Sequence, residues 1–115
     1  MPLDGELRRR IGDWIEADPD PVTRATAQTM LASGNEAALL DCFGARLQFG
    51  TAGLGGPLGP GPNRMNRLVV RQAAAGLADY LLERDVRTAD RGVVIGFDAR
   101  HGSAAFALEI GRAHV

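Results

Sequence analysis

Apolar residues in the first part of the chain recur every three or four positions, which is the spacing of helices that bury one face. Leu7, Ile11 and Trp14 form the first such face, and Asp4 precedes them as a candidate N-cap. The pattern therefore predicts that the chain begins with an amphipathic helix.

Two more helices are predicted before residue 48. Asp18-Pro19-Asp20-Pro21 ends the first helix, and Asp20 caps the second with Pro21 at its first helical position. Ser33-Gly34 ends that helix, and Asn35 caps a third. The apolar face of the third helix carries Leu39, Leu40 and Phe43. Residues 1–47 are therefore interpreted as a helical N-terminal extension.

A strand followed by a long helix is predicted next. Leu47-Gln48-Phe49 is typical of a short strand. Asn66 is expected to cap a helix that runs from Arg67 to about Glu83. Apolar residues of that helix fall on one face at helical spacing: Val70, Ala73, Ala74, Leu77 and Leu81.

The same order of elements is repeated in the last third of the chain. Gly92–Phe97 is an apolar run rich in β-branched residues, as in a strand covered on both faces. A last helix is expected to begin at Ser103. Strand–loop–helix repeated twice predicts an α/β fold over residues 48–108, with a mixed or parallel sheet between helices. Both loops that follow the strands then lie at one edge of the sheet, where such folds bind ligands.

The first of these loops is unusually rich in glycine. Seven of the fifteen glycines lie between Gly44 and Gly61. A lysine-containing phosphate loop is impossible because the chain has no lysine, and the G-x-G-x-x-G pattern fails because Leu58 follows Gly55 by three positions. Backbone amides in such a loop can bind phosphate. From the loop alone, phosphate binding and a purely structural turn both remain open.

The second loop, Asp98–Gly102, and Ser103 directly after it bring a carboxylate, a guanidinium, an imidazole and a hydroxyl to a strand end. A phosphoaspartyl hydrolase needs a second carboxylate two residues after its aspartate, where this chain has Arg100. Ser103 is better explained as a helix cap than as a nucleophile with His101 as its base. Ligand binding and a structural role in the loop stay open for Asp98 and Arg100.

Composition narrows the function classes. The chain has 115 residues, a net charge of −1 and a pI of about 6.1, which argues against nucleic-acid binding. Its apolar runs are too short to predict a membrane span. Cys42 is the only cysteine and is expected to be a small buried residue, so neither a disulfide within the chain nor a cysteine-rich metal site is predicted. These features favour a cytoplasmic protein.

Three motifs, in this order and spacing, resemble the α-D-phosphohexomutase superfamily of phosphoglucomutases and phosphomannomutases. They are F-G-T-A-G-L-G-G at 49–56, P-N-R-M-N at 62–66 and G-F-D-A-R-H-G-S at 96–103. The resemblance is to the branch with a helical extension, and it implies that residues 48–108 are part of the first domain. It also implies an isomerase that moves phosphate within hexose or pentose phosphates through a phosphoserine and a bisphosphate intermediate.

The resemblance also implies the site. Thr51, Gly53, Arg100 and His101 are expected to shape the pocket for a sugar phosphate around the phosphoserine. In the family that serine lies in a T-A-S-H-N-P-type motif beyond the second loop, so a catalytic serine is not expected in this chain. The Mg²⁺ held by three aspartates and the activating hexose bisphosphate belong to the full-length parent, and the fragment is expected to be inactive. Gly55 stands where the family has arginine.

Residues 109–115 read Glu-Ile-Gly-Arg-Ala-His-Val, which is the translation of a widely used sequencing adapter in one frame. They are therefore predicted to be an artefact. Two alternatives to the mutase interpretation are kept. One is a non-enzymatic module that binds a phosphorylated ligand or a partner through the glycine-rich loop. The other is a fragment of a phosphoaspartyl hydrolase labelled at Asp98.

Overall fold

The computed structural model describes residues 5–50, 53–85, 87–92, 94–96 and 102–112. The chain divides into two compact units, Met1–Val69 and Val70–Val115, and each is described by itself. Within the described ranges, every helix is too short or too polar to cross a bilayer. The elements are α1 (Gly5–Ala17), α2 (Pro21–Ser33), α3 (Glu36–Phe43), β1 (Phe49–Gly50), β2 (Gly53–Leu54), α4 (Arg67–Arg84), α5 (Thr88–Arg91) and α6 (Ser103–Arg112).

The first unit has a core built by α1, α2, α3 and the first turn of α4. Its buried members are Leu7, Ile11, Trp14, Ala27, Leu39, Cys42, Phe43 and Leu68. The Trp14 and Phe43 rings meet edge to face, with centroids 5.6 Å apart and an angle of 83°. The predicted inward position of Leu40 is wrong, because its side chain is 51% exposed. Successive helical residues are about 100° apart, and Leu39 takes the core-facing position.

The ends of the first three helices follow local side-chain chemistry, as predicted. Asp20 accepts a hydrogen bond from the Val22 backbone N–H at 2.9 Å, and Asn35 accepts one from Ala38 at 3.1 Å. Gly34 ends α2 with φ +69°. The predicted cap Asp4 lies outside the described residues.

A buried carboxylate fixes the corner between α1 and α2. Asp18 is fully buried and accepts hydrogen bonds from the Asp20 backbone N–H at 3.0 Å and the Thr23 hydroxyl at 2.5 Å. The Arg24 guanidinium donates to the Asp18 carbonyl, with Nε at 3.2 Å. Burial without these partners would be costly, so the network determines how the two helices meet.

Strand pairing differs from the prediction. β1 and β2 form an antiparallel hairpin in which Phe49 pairs with Leu54, and Leu58 and Met65 form an isolated parallel bridge. The strand predicted over Gly92–Phe97 is wrong where it is described, since Gly92 and residues 94–96 have no regular structure. Val94 is fully exposed. A buried parallel strand needs paired neighbours and covered faces, and the described residues supply neither to Val94.

An ion pair joins α4 to α6 in the second unit. Glu109 is fully buried, and its Oε2 lies 2.9 Å from Nε and 2.7 Å from Nη2 of Arg71. Val70 and Ala74 are buried as predicted, whereas Leu77 is 55% exposed. Glu109 belongs to residues 109–115, which the sequence predicts to be a translated sequencing adapter. The ion pair does not test that prediction, because a chain of any origin can form it.

Candidate functional site

The glycine-rich loop begins at the β1–β2 hairpin. Gly53, in β2, has φ +99°, a conformation that favours glycine, and open space lies where its side chain would be. Gly55 also has open space at its β-carbon position. The start of the loop therefore presents backbone that neighbouring atoms leave accessible.

Asn66 fixes the far end of the loop. Its side chain is almost fully buried, and its amide nitrogen donates to the carbonyl oxygens of Gly59 and Gly61, both at 2.8 Å. Its Oδ1 accepts from the Val69 backbone N–H at 2.9 Å and thereby caps α4. The sequence predicted only the cap. The second role had one signal in the sequence. Asn66 carries an amide, which can donate hydrogen bonds as well as accept them, and it directly follows a glycine- and proline-rich loop.

The same segment is anchored to the last turn of α3. The Asn63 backbone N–H donates to the Cys42 carbonyl at 3.1 Å, and its side-chain amide donates to the Asp41 carbonyl at 2.8 Å. Arg64 forms an ion pair with the Asp41 carboxylate and donates to the Asp41 carbonyl at 3.2 Å. These donors satisfy carbonyl groups that a helix end leaves without internal partners.

Backbone hydrogen bonds close the rest of the loop. The Met65 N–H donates to the Pro57 carbonyl at 2.8 Å, and the Gly59 N–H donates to the Met65 carbonyl at 3.2 Å. The Leu47 N–H donates to the Pro62 carbonyl at 3.0 Å, which ties the loop to the segment before β1. The loop thus has a defined conformation from Pro57 to Asn66.

Cys42 lies beneath the loop and is buried, as predicted. Burial raises the pKa of its thiol above the ordinary value of 9.0, the Arg64 charge lowers it, and the Asp41 charge raises it. The thiol is therefore neutral near pH 7, as in a core cysteine. Among the residues that the structure describes, no group of three His, Cys, Asp or Glu side chains could hold a metal ion.

The structure tests little of the predicted pocket. Thr51, Arg100 and His101 lie outside the described residues. Gly53 lies in the hairpin at the start of the loop, and Gly55 follows β2. The joint role of the four residues therefore stays a prediction.

Comparison with known proteins shows the family of the segment that contains the loop. A family model described as "Phosphoglucomutase/phosphomannomutase, alpha/beta/alpha domain I" matches residues 46–113. The chain belongs to this phosphoglucomutase/phosphomannomutase family. The match confirms the predicted family and fold class, and it covers all three motifs that carried the resemblance. No solved structure gave a significant match.

Curated relatives of this phosphomutase-family chain are enzymes of sugar phosphate chemistry. It is 42% identical over 98 residues to phosphopentomutase from Mus musculus. That alignment covers 85% of the chain and 16% of the relative. It is 39% identical over 105 residues to a probable phosphoribomutase from Schizosaccharomyces pombe. That alignment covers 91% of the chain and 18% of the relative. It is 35% identical over 97 residues to glucose 1,6-bisphosphate synthase from Mus musculus. That alignment covers 84% of the chain and 16% of the relative. The chain thus spans 16–18% of the length of these relatives.

Proposed function

We propose that the full-length protein carrying this chain is a phosphosugar mutase that prefers a pentose phosphate. The observation that carries this proposal is the 42% identity to a phosphopentomutase over 85% of the chain. A probable phosphoribomutase is 39% identical over 91% of the chain and a glucose 1,6-bisphosphate synthase is 35% identical over 84%, whereas a phosphoglucomutase reaches 42% over only 56% of the chain. The reaction moves a phosphate between the two ends of the sugar through a phosphoserine and a bisphosphate intermediate.

The geometry of the loop supports phosphate binding. Gly53 and Gly55 have no side chains and no atoms where a β-carbon would lie, so a phosphate can approach the backbone closely. Asn66 holds the other end of the loop through two 2.8 Å hydrogen bonds. A loop fixed before the ligand arrives loses less conformational entropy on binding.

The proposal assigns roles to the predicted site residues. Thr51, Gly53, Arg100 and His101 shape the pocket around the phosphoserine. Gly55 leaves this pocket without the arginine that the family places there. Because the phosphoserine motif is expected after these loops, the isolated 115-residue chain does not turn over substrate.

The remaining parts of the proposal concern the full-length protein. Its metal is Mg²⁺, which neutralises charge on the transferring phosphoryl group. The ligands come from outside the described residues, which contain no suitable cluster. A hexose bisphosphate activates the enzyme, sugar phosphates rather than nucleic acids or membranes are its partners, and it works in the cytoplasm.

A substrate comparison tests this function. The full-length protein, expressed from its native gene with Mg²⁺ and catalytic hexose bisphosphate, is assayed with ribose 1-phosphate and with glucose 1-phosphate. We expect the higher kcat/KM with ribose 1-phosphate. The opposite order would refute the pentose preference.

One observation favours a second candidate, a non-enzymatic module that binds a phosphorylated ligand. Met1–Val69 already forms a compact unit that contains the whole loop. Calorimetric titration of the 115-residue chain with glucose 1,6-bisphosphate separates the two candidates. Binding by the chain alone favours the module, and its absence favours a loop that works only within the full-length enzyme.

A further inference from the structure

We propose that the last turn of α3 positions the glycine-rich loop for phosphosugar binding, with Asp41, Asn63 and Arg64 as positioning residues. This inference rests on the proposed mutase function. It gives the helical N-terminal segment a part in the site, although the segment precedes the three family motifs in the sequence.

The contacts between α3 and the loop converge on two successive backbone carbonyl groups. Asp41 O accepts from the Asn63 amide at 2.8 Å and from Arg64 Nη1 at 3.2 Å. Cys42 O accepts from the Asn63 backbone N–H at 3.1 Å. Arg64 also pairs with the Asp41 carboxylate. Hydrogen bonds from both the backbone and the side chains of the loop therefore hold it against the end of α3.

A second set of contacts holds the same loop segment from within unit 1. Asn66 binds the carbonyl groups of Gly59 and Gly61 while it caps the first turn of α4. The loop is thus held between the end of one helix and the start of another. Displacement of either helix end would move the loop and, with it, the exposed backbone near Gly53 and Gly55.

The charges at this contact are unequally exposed. The Arg64 side chain is 16% exposed, whereas Asp41 is 67% exposed. Ion pairs that reach water contribute little to global stability. Loss of the Asp41 carboxylate should therefore change where Arg64 and the loop lie without unfolding the protein. A loss of activity without a loss of stability would therefore indicate a positioning role and not a merely structural one.

Kinetics of the full-length enzyme test the inference. Arg64→Gln and Asp41→Asn should each lower kcat/KM for ribose 1-phosphate by about 10-fold, since a displacement of about 1 Å can cost about 100-fold and a smaller one costs less. The melting temperature of Asp41→Asn should stay within about 2 °C, because the Asp41 carboxylate is largely exposed. The double variant should be no worse than Arg64→Gln alone, because that substitution already removes the interaction with the Asp41 carboxylate.

The control is another ion pair, Asp85–Arg91, with 3.1 Å between Nη1 of Arg91 and Oδ2 of Asp85. Asp85→Asn should leave kcat/KM unchanged. Wild-type kcat/KM in both Asp41→Asn and Arg64→Gln would overturn the inference.

Hydrogen exchange of the 115-residue chain distinguishes failure of this inference from failure of the proposed function. Arg64→Gln should speed exchange at the Asn63 and Met65 amides, while Trp14 fluorescence shows the core intact. Unchanged exchange at both amides would overturn the positioning role whatever the enzyme does. Faster exchange in the variant chain, together with a full-length protein that turns over no sugar phosphate, would instead reject the mutase proposal.

Discussion

The Cys42 carbonyl group lies against Gly61 so closely that a β-carbon at residue 61 would be 2.9 Å from the Cys42 carbonyl carbon. Gly61 also has φ +99°, in the region that favours glycine. Steric contact and backbone angle thus both require glycine where the loop meets α3.

Gly61→Ala is expected to destabilise the chain by more than the 1–3 kcal/mol typical of backbone strain alone, because the clash with Cys42 adds to it. Gly53→Ala is the matched control, since Gly53 has the same φ of +99° but open space at its β-carbon position. Urea unfolding followed by Trp14 fluorescence measures both. Equal losses in the two variants would show that the contact with Cys42 contributes nothing.

Asn66→Asp separates the two roles of Asn66. The carboxylate keeps the acceptor that caps α4 but places oxygen against the Gly59 and Gly61 carbonyl groups, where the amide now donates. We expect a loss of about 2–4 kcal/mol, as for a lost buried hydrogen bond with an uncompensated charge. Asn35→Asp is the control, because Asn35 acts as an exposed cap for α3, and it should change the free energy of unfolding by less than about 0.5 kcal/mol. Similar losses would contradict the loop role.

The raised pKa of Cys42 makes stability depend on alkaline pH. The folded chain keeps the thiol proton to higher pH than the unfolded chain, whose thiol titrates near 9.0. The contribution of Cys42 to the free energy of unfolding should therefore be constant below this value and be lost as pH rises through the folded pKa. Urea titrations of wild type and Cys42→Ala measure the difference. Parallel pH profiles would show that the thiol makes no contribution.

Restoring the family arginine tests the role of the loop start. Gly55→Arg should raise kcat/KM of the full-length enzyme by about 10- to 100-fold, which corresponds to a charge-assisted phosphate contact of 1.5–3 kcal/mol. The open space at Gly55 lets the loop accept a side chain. Gly55→Gln, which has no charge, should give little gain. An equal effect of both substitutions would exclude a phosphate contact.

Local features of the fold could be predicted from the sequence, and long-range ones could not. Asp20, Asn35 and Asn66 were predicted as caps because each binds a backbone group two or three positions away. The contact of Asn63 with Asp41 joins residues 22 positions apart, and no local pattern encodes it.

Burial was predicted less well than helix position. Periodicity placed Leu40 and Leu77 on apolar faces, yet both are about half exposed, because the width of a buried face depends on what packs against it. The run at residues 92–97 has strand composition, but strand formation also needs neighbouring strands. Thr51, Arg100 and His101 lie outside the described residues, so their roles stay predictions.

Phosphorus NMR of the full-length protein tests the central claim most directly. Ribose 1-phosphate is incubated with the enzyme, Mg²⁺ and catalytic hexose bisphosphate, and its phosphorus signals are followed with time. The account predicts that the signal of the 1-phosphate is replaced by that of ribose 5-phosphate while total sugar-bound phosphate stays constant. Release of inorganic phosphate, or an unchanged spectrum, would contradict it.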